Sequence, residues 1–365
     1  MEMTRSDFLR IVGGVAASTS VSSIANAAPA PQSKIKRGVT MYSYQEEYYT
    51  RAMTLEDCIR EVSDMGADGI ELMGWEYIPG YPKPSDRWVE QWHSWMEMYH
   101  TVPSAFSQIM ETKLYKDRRL TDREAVDMMV GDFKFARRLG FSILRVMNAT
   151  PLDLVEKCIP FAEEQGIKMG CEIHSPTDLN GPWTQRVIDL IHKTNTKNLG
   201  FVPDMSLFVK RPPRVMRQQA IRQGAVTDAI ADYIEKARED GVPEAKATAE
   251  AARLGYKEVN TRFGGSYLRR VFGTMGARME NPRDLLKYMP FIFHIHAKFW
   301  EMTEDLHEYS IPYAEIVPVL VEGGYGGYLS SEFEGQRYTQ DAFETDSCEQ
   351  IRRQHIMLRR LLAEV

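Results

Sequence analysis

From residue 37 onward, short runs of β-branched and aromatic residues alternate with amphipathic helical repeats, and the two periods, 2 and 3.6, trade places along the chain. The strand pattern falls on "RGVTMYSY" (37–44), "GADGIELMG" (66–74), "VPSAFSQI" (102–109), "FSILRVMNA" (141–149), "IKMGCEIHS" (167–175), "LGFVPDMSLF" (199–208), "FIFHIHAKF" (291–299) and "GYLSSEFEG" (327–335). Helical periodicity fills the gaps, as in "LEDCIREVSDMG", "REAVDMMVGDFKFARRLG" and "LDLVEKCIPFAEEQG", and several of these runs stop at a glycine, the usual C-terminal punctuation. Eight strands with crossover helices predict a (β/α)8 TIM barrel spanning 37–345, with its chemistry at the C-terminal strand ends. A doubly wound open sheet is the second choice, but no GxGxxG follows the first strand.

One connection breaks the beat. Residues 209–290 separate strands 6 and 7, too long for a loop, and they read as helical and rich in Ala, Glu and Arg. This large helical insertion leaves a C-terminal strand end, so it starts at the mouth of the barrel. It is expected to be a lid or a subunit contact, or else a surface hairpin without function. Residues 346–365 read as a C-terminal helix packing on the barrel.

The N-terminus follows another logic. Residues 1–27 have a basic start, a short Gly/Ala/Val stretch and a small-residue site, Ala25 to Ala27, which is the layout of an export signal. The segment resembles a twin-arginine signal in which Ser6 stands in place of the second arginine. Residues 28–36 form a linker, and the expected location is the periplasm, or the cytoplasm if residues 1–27 are only an N-terminal arm. No later stretch has the roughly 20 apolar residues of a membrane span.

Charge narrows the class of partner. A net charge of −6 disfavours nucleic acid and anionic membranes, both of which normally need a cationic surplus. Cys58, Cys158, Cys171 and Cys348 have neither CxxC nor zinc-finger spacing and read as free thiols.

The chemistry lies in same-face pairs late in the last four strands: Glu172 and His174, Asp204 and Ser206, His294 and His296, Glu332 and Glu334. Carboxylates delivered together to one mouth repel each other unless a cation is present. His296 sits one layer above His294 and is the better ligand, leaving His294 as support beneath it. Three carboxylates and one imidazole favour Mn²⁺, with Mg²⁺ or Co²⁺ next and Zn²⁺ less suited.

The order "CEIH", "PDMSLF", "HIHAK", "SSEFEG" resembles the xylose isomerase-like TIM-barrel sugar phosphate isomerase/epimerase superfamily. Carried over to this chain, the resemblance implies Glu172, Asp204, His296 and Glu332 as ligands of one divalent metal, with Glu172 and Glu332 also catalytic. Two departures from the ketose 3-epimerases stand out: Leu207 replaces a histidine after Asp204, and Met302 replaces an arginine after His296. In their place stand His174 and Lys298, and "EIHSP" with "HAKFW" makes the C-glycoside deglycosidase α subunits the nearest subgroup. That likeness implies a 3-oxo-glycoside substrate, Mn²⁺, a histidine base (His174) and a small β-sandwich partner subunit; Lys298, on the same face as His296, reads as a substrate contact at the rim, and a homo-oligomer is a further option. The shared first step is proton removal beside a sugar carbonyl to give an enediolate, followed by isomerisation, epimerisation or elimination of a β-substituent.

Glu71, Gln108 and Arg145 are further candidates to hydrogen-bond sugar hydroxyls, each with a structural hydrogen bond or ion pair as the alternative. Trp75, Tyr77 and Tyr81 could wall a sugar or aglycone or simply pack on a helix, whereas Trp88, Trp92 and Trp95 share a helix face and read as core. The competing functions are an endonuclease IV-like metal phosphodiesterase and a non-catalytic exported sugar-binding barrel. The "VKRPPR" and "FGGSYLRR" elements of the insertion carry no assignment of their own.

Overall fold

The computed structural model describes residues 33–111, 114–174, 177–259, 265–274, 280–342 and 344–365. The proposed export signal and most of the linker lie outside them. Eight parallel strands form one sheet: β1 Lys36–Thr40, β2 Gly69–Met73, β3 Val102–Gln108, β4 Ile143–Val146, β5 Lys168–Ile173, β6 Leu199–Pro203, β7 Ile295–Phe299 and β8 Tyr328–Phe333, in the order β6-β5-β4-β3-β2-β1-β8-β7. With helices between them this is a (β/α)8 TIM barrel. Strand faces pack Ile70, Leu72, Phe106, Leu144, Met169, Phe201 and Leu329 into a continuous buried core.

The seam lies between β6 and β7. Among the described residues, the isolated bridges Phe201↔Ile292 and Asp204↔His296, with the Phe293 N–H donating to the Phe201 carbonyl at 3.0 Å, close the barrel there. Gly200 makes that approach feasible, because a Cβ at this position would collide with the Phe291 carbonyl and the Phe293 ring.

Helix boundaries follow local chemistry. Thr54 and Thr121 each close a capping box, with Asp57 and Glu124, at the starts of Leu55–Asp64 and Asp122–Arg138. Gly166, at φ 63°, ends Leu152–Gln165 in the left-handed conformation that favours glycine.

Several strands are shorter than their hydrophobic runs. After Thr40 the chain turns into the 3₁₀ segment Met41–Tyr44, and after Pro203 into Met205–Phe208. Ser206 is therefore not Asp204's same-face strand partner; its backbone N–H donates to Asp204 Oδ1 at 2.7 Å. Phe291 to His294 precede β7 rather than forming part of it.

Residues 209–290 contain the helices Arg214–Arg222, Asp228–Glu239 and Glu244–Arg253, the last two with alanines on their buried faces. The first of them is braced on the segments that follow β7 and β8: Arg214 pairs with Glu301 at 2.7 Å, Arg222 with Asp341 at 2.6 Å, and Gln219 donates to the Arg337 carbonyl at 3.1 Å. Since those segments leave the C-terminal strand ends, this helix stands at the mouth of the barrel. The C-terminal helix Ser347–Ala363 packs beside β8, where His355 contacts Ser331. All four cysteines are free, and among the described residues no helix is long and apolar enough to cross a membrane.

Candidate metal centre

Four strands deliver the central groups. Glu172 is near the end of β5, Asp204 follows β6 at the seam, His296 is on β7 and Glu332 on β8; all are buried. His296 Nδ1 lies 3.0 Å from Glu172 Oε1 and 3.3 Å from Glu332 Oε2. Glu172, Asp204 and His296 each offer one donor atom, and these atoms lie within 4.8 Å of one another. Glu332, not Glu334, is the inner carboxylate of β8. Glu334 stands further out, accepting from the Tyr42 hydroxyl at 2.6 Å and facing Lys298 Nζ at 3.2 Å.

Two permanent cations enter the cluster. Arg145 Nε on β4 lies 3.8 Å from Glu172 Oε1. Lys298 Nζ lies 3.1 Å from Glu332 Oε2 and 3.4 Å from Asp204 Oδ2. The sequence suggested a rim position for Lys298; it is instead buried between carboxylates, because the turn after Pro203 brings Asp204 across the seam to it.

The electrostatics show an unbalanced site. Burial alone would raise the Glu172 carboxyl, but Arg145 and His296 hold it down at about 2. Glu332, opposed in the same way by burial, is held well below the usual range by Lys298 and His296. Asp204 is pushed up, by burial first and by Glu332 as well, with Lys298 opposing. Burial disfavours charge on His296 and Lys298, yet the surrounding carboxylates raise both well above their ordinary values. Four buried carboxylates (Glu71, Glu172, Asp204, Glu332) face two permanent cations, Arg145 and Lys298. With all four ionised and the imidazoles neutral, two negative charges are in surplus; without an ion that surplus draws protons, the direction in which His296 and Asp204 shift, and one divalent cation would take their place.

The donor atoms fit such an ion. Asp204 Oδ2, His296 Nδ1 and Glu332 Oε2 are buried and make no hydrogen bond. Lys298 Nζ faces the two oxygens at 3.4 and 3.1 Å without completing a hydrogen bond, and His296 Nδ1 faces carboxylate oxygens at 3.0 and 3.3 Å; buried polar atoms are normally satisfied, and a cation between these three atoms would complete them.

Around this centre the other candidates separate. His174 follows β5 with Nε2 3.9 Å from Asp204 Oδ2 and 39% of its side chain exposed, at the edge of the cluster and open to the mouth. Glu71 does not line the mouth: it is fully buried beneath His296, accepting from Ser107 Oγ at 2.7 Å, His296 Nε2 at 2.9 Å and His294 Nε2 at 3.0 Å. Burial alone would raise its carboxyl, but the imidazoles hold it well below its ordinary value. Gln108 also leaves the predicted group. Its neighbour Ser107 takes the inward face of β3, so Gln108 points outward beside Asp132 of Asp122–Arg138.

Tyr77 is buried and donates to the Met41 carbonyl at 2.6 Å, and Tyr81 donates to Asp132 at 2.6 Å; both pack on the flank instead of walling a ligand. Trp92 is core, with Trp88 stacked on it at 6.2 Å. Tyr42, Ser107 and Arg337 were not foreseen. Tyr42 lies two residues past β1, and that strand-end position was the one available signal. Arg337 donates to the Tyr42 hydroxyl at 2.5 Å, which only the folded mouth brings together.

Against known proteins, the chain is 32% identical over 338 residues to a 3'-dehydrocarminate deglycosidase alpha subunit from Microbacterium sp, covering 90% of this chain and 95% of that protein. The chain belongs to the C-glycoside deglycosidase alpha-subunit family. A second member, from Arthrobacter globiformis and named C-glycoside deglycosidase alpha subunit, is 29% identical over 333 residues, covering 91% of this chain and 94% of the relative. No protein-family model matches the chain. Solved structures share the barrel fold. The IOLI protein with a bound zinc atom aligns at a TM-score of 0.54 and 14% identity over 90% of this chain and 99% of its own. D-psicose 3-epimerase aligns at 0.51 and 12% identity over 90% of this chain and all of its own (100%). At those identities the likeness concerns the fold alone.

Proposed function

We propose that the chain is the catalytic subunit of a divalent-metal-dependent enzyme that removes a proton beside a sugar carbonyl and cleaves 3-oxo-glycosides. The observation that carries this reading is the convergence of Glu172, Asp204, His296 and Glu332 with three buried donor atoms lacking hydrogen bonds. Membership in a family whose named relatives are deglycosidase alpha subunits supports the substrate class.

The four residues would hold one ion, and the oxygen-rich set suits Mn²⁺ or Mg²⁺ better than Zn²⁺. A divalent ion there supplies Lewis-acid stabilisation of negative charge on a substrate oxygen. The remaining roles belong to this chain's side chains. His174, open to the mouth, takes the proton from the carbon next to the carbonyl, the role that imidazoles most often fill. Arg145 and Lys298 keep positive charge beside the oxygen on which the electron pair accumulates. When that pair returns, it either recaptures a proton or expels the substituent on the β carbon, breaking the glycosidic bond. In a 3-oxo-glycoside the proton leaves C2 and the aglycone leaves C1.

The family's alpha-subunit naming supports a partner subunit that completes the enzyme. We also propose that residues 1–27 direct export, which N-terminal sequencing of the mature protein tests.

Incubating the protein with a 3-oxo-glucoside and Mn²⁺ in D₂O separates the options. Aglycone release that disappears with chelator supports the lyase reading, and C2 deuterium exchange without release would assign an epimerase or isomerase instead. If neither occurs with the metal-loaded protein, with or without the partner subunit, the proposal is rejected.

A further inference from the structure

Glu71 lies on β2 and reaches His296 on β7, although β1 and β8 stand between those strands in the sheet. No backbone ladder couples them; side chains crossing the barrel interior do. The Glu71 carboxylate collects three donors: Ser107 Oγ at 2.7 Å and His296 Nε2 at 2.9 Å on Oε1, and His294 Nε2 at 3.0 Å on Oε2. An ionised carboxylate only accepts hydrogen bonds. Both imidazoles must therefore carry a proton at Nε2, and on His296 this leaves Nδ1 as the atom turned toward Glu172 and Glu332.

We propose that Glu71, clamped by Ser107 and His294, is a positioning residue that fixes the tautomer and ring orientation of His296, presenting Nδ1 to the carboxylate cluster. The inference rests on the metal reading above. It also explains His294, whose N–H occupies the second oxygen of Glu71 and keeps that carboxylate from turning away from His296. Groups that orient a metal-binding histidine typically account for about 10–100-fold in metal affinity.

The decisive variant is Glu71→Gln. Its amide keeps the shape but offers a single acceptor oxygen, and its NH₂ meets one imidazole N–H head-on, so one ring must change tautomer or turn. Calorimetric titration with Mn²⁺ should show binding about 10–100-fold weaker than wild type. In ¹⁵N-histidine-labelled, Mg²⁺-saturated protein, NMR should show Nε2-bound protons on both His294 and His296, with one of the two signals lost in Glu71→Gln. Ser107→Ala, which deletes one oxygen and one clamp, is the variant to read if Glu71→Gln does not fold; it should weaken Mn²⁺ binding several-fold. The inference is overturned if the variant that folds binds Mn²⁺ as wild type does, or if wild-type His296 carries its proton on Nδ1 in the Mg²⁺-saturated protein. A wild-type protein that binds no divalent ion while both Nε2 protons are present rejects the metal reading and leaves the His296 orientation standing.

Discussion

Acid should destabilise this barrel through one buried histidine far from the chemistry. His355, on Ser347–Ala363, is 2% exposed; its Nδ1 lies 3.2 Å from the Arg37 guanidinium and its Nε2 3.0 Å from Ser331 Oγ. Arginine only donates, so Nδ1 accepts and the ring proton sits on Nε2, donating to Ser331. A second proton would place an imidazolium against a guanidinium in the core. Burial first, and Arg37 second, push this imidazole from 6.5 down to about 3. Above pH 6.5 it is neutral both folded and unfolded and costs nothing. As pH falls from there toward 3 the unfolded chain takes up a proton that the folded chain refuses, so stability drains at about 1.4 kcal/mol per pH unit. Between pH 7 and pH 5 the loss is about 2 kcal/mol. At about 2.1 cal/mol/K per residue, a chain of 365 residues has an unfolding entropy near 0.8 kcal/mol/K, so that loss is about 2–3 °C in melting temperature. His355→Gln keeps an acceptor for Arg37 and a donor for Ser331 but does not titrate. Scanning calorimetry in chelator at pH 7 and pH 5 should show the wild type losing about 2–3 °C more than the variant, every other titrating group cancelling in the comparison. Parallel pH profiles would refute the neutral, proton-refusing His355.

Three further outcomes follow from the centre and the seam. Lys298→Met leaves Asp204 and Glu332 without their ammonium, so in chelator the variant should lose about 3–5 kcal/mol of stability, and saturating Mn²⁺ should restore part of it; equal losses with and without the ion would contradict the charge balance described. His174→Ala should lower turnover of a 3-oxo-glucoside by about 10²–10⁴-fold while the metal content measured by elemental analysis stays at the wild-type level, and undiminished turnover removes His174 as the base. Gly200→Ala drives a methyl into the Phe291 carbonyl and should cost about 1–3 kcal/mol in thermal unfolding, with weaker Mn²⁺ binding because Asp204 and His296 bridge the same seam. A wild-type melting temperature there would show that the seam tolerates the methyl.

Much of the centre was legible because strand periodicity is local. Side chains alternate every residue, so Glu172, His296 and Glu332 could be placed on inward faces, and His294 below His296, from spacing alone. Asp204 was placed correctly but for a reason that fails in detail: it lies past the end of β6, where its side chain caps the following 3₁₀ turn. Glu71 shows where local reasoning ends. Its position on β2 was readable, yet its partners come from β3 and β7, and only barrel closure decides that it sits under His296 and not at a sugar. Lys298 moved for the same reason, drawn inward by the carboxylates that the seam brings together.

By itself, then, the sequence determined the alternation of eight strands with helices, the inward order of the donor residues and the acidic balance that disfavours nucleic acid and anionic membranes. These depend on the chain's own periodicity and charge, which short-range sterics and solvation set. The tertiary structure decided which carboxylate supports a histidine, which is left with an unsatisfied oxygen, and which cations are buried among them. Those outcomes depend on distances between residues up to 225 positions apart in the chain, as in Glu71 and His296, and no local period encodes them.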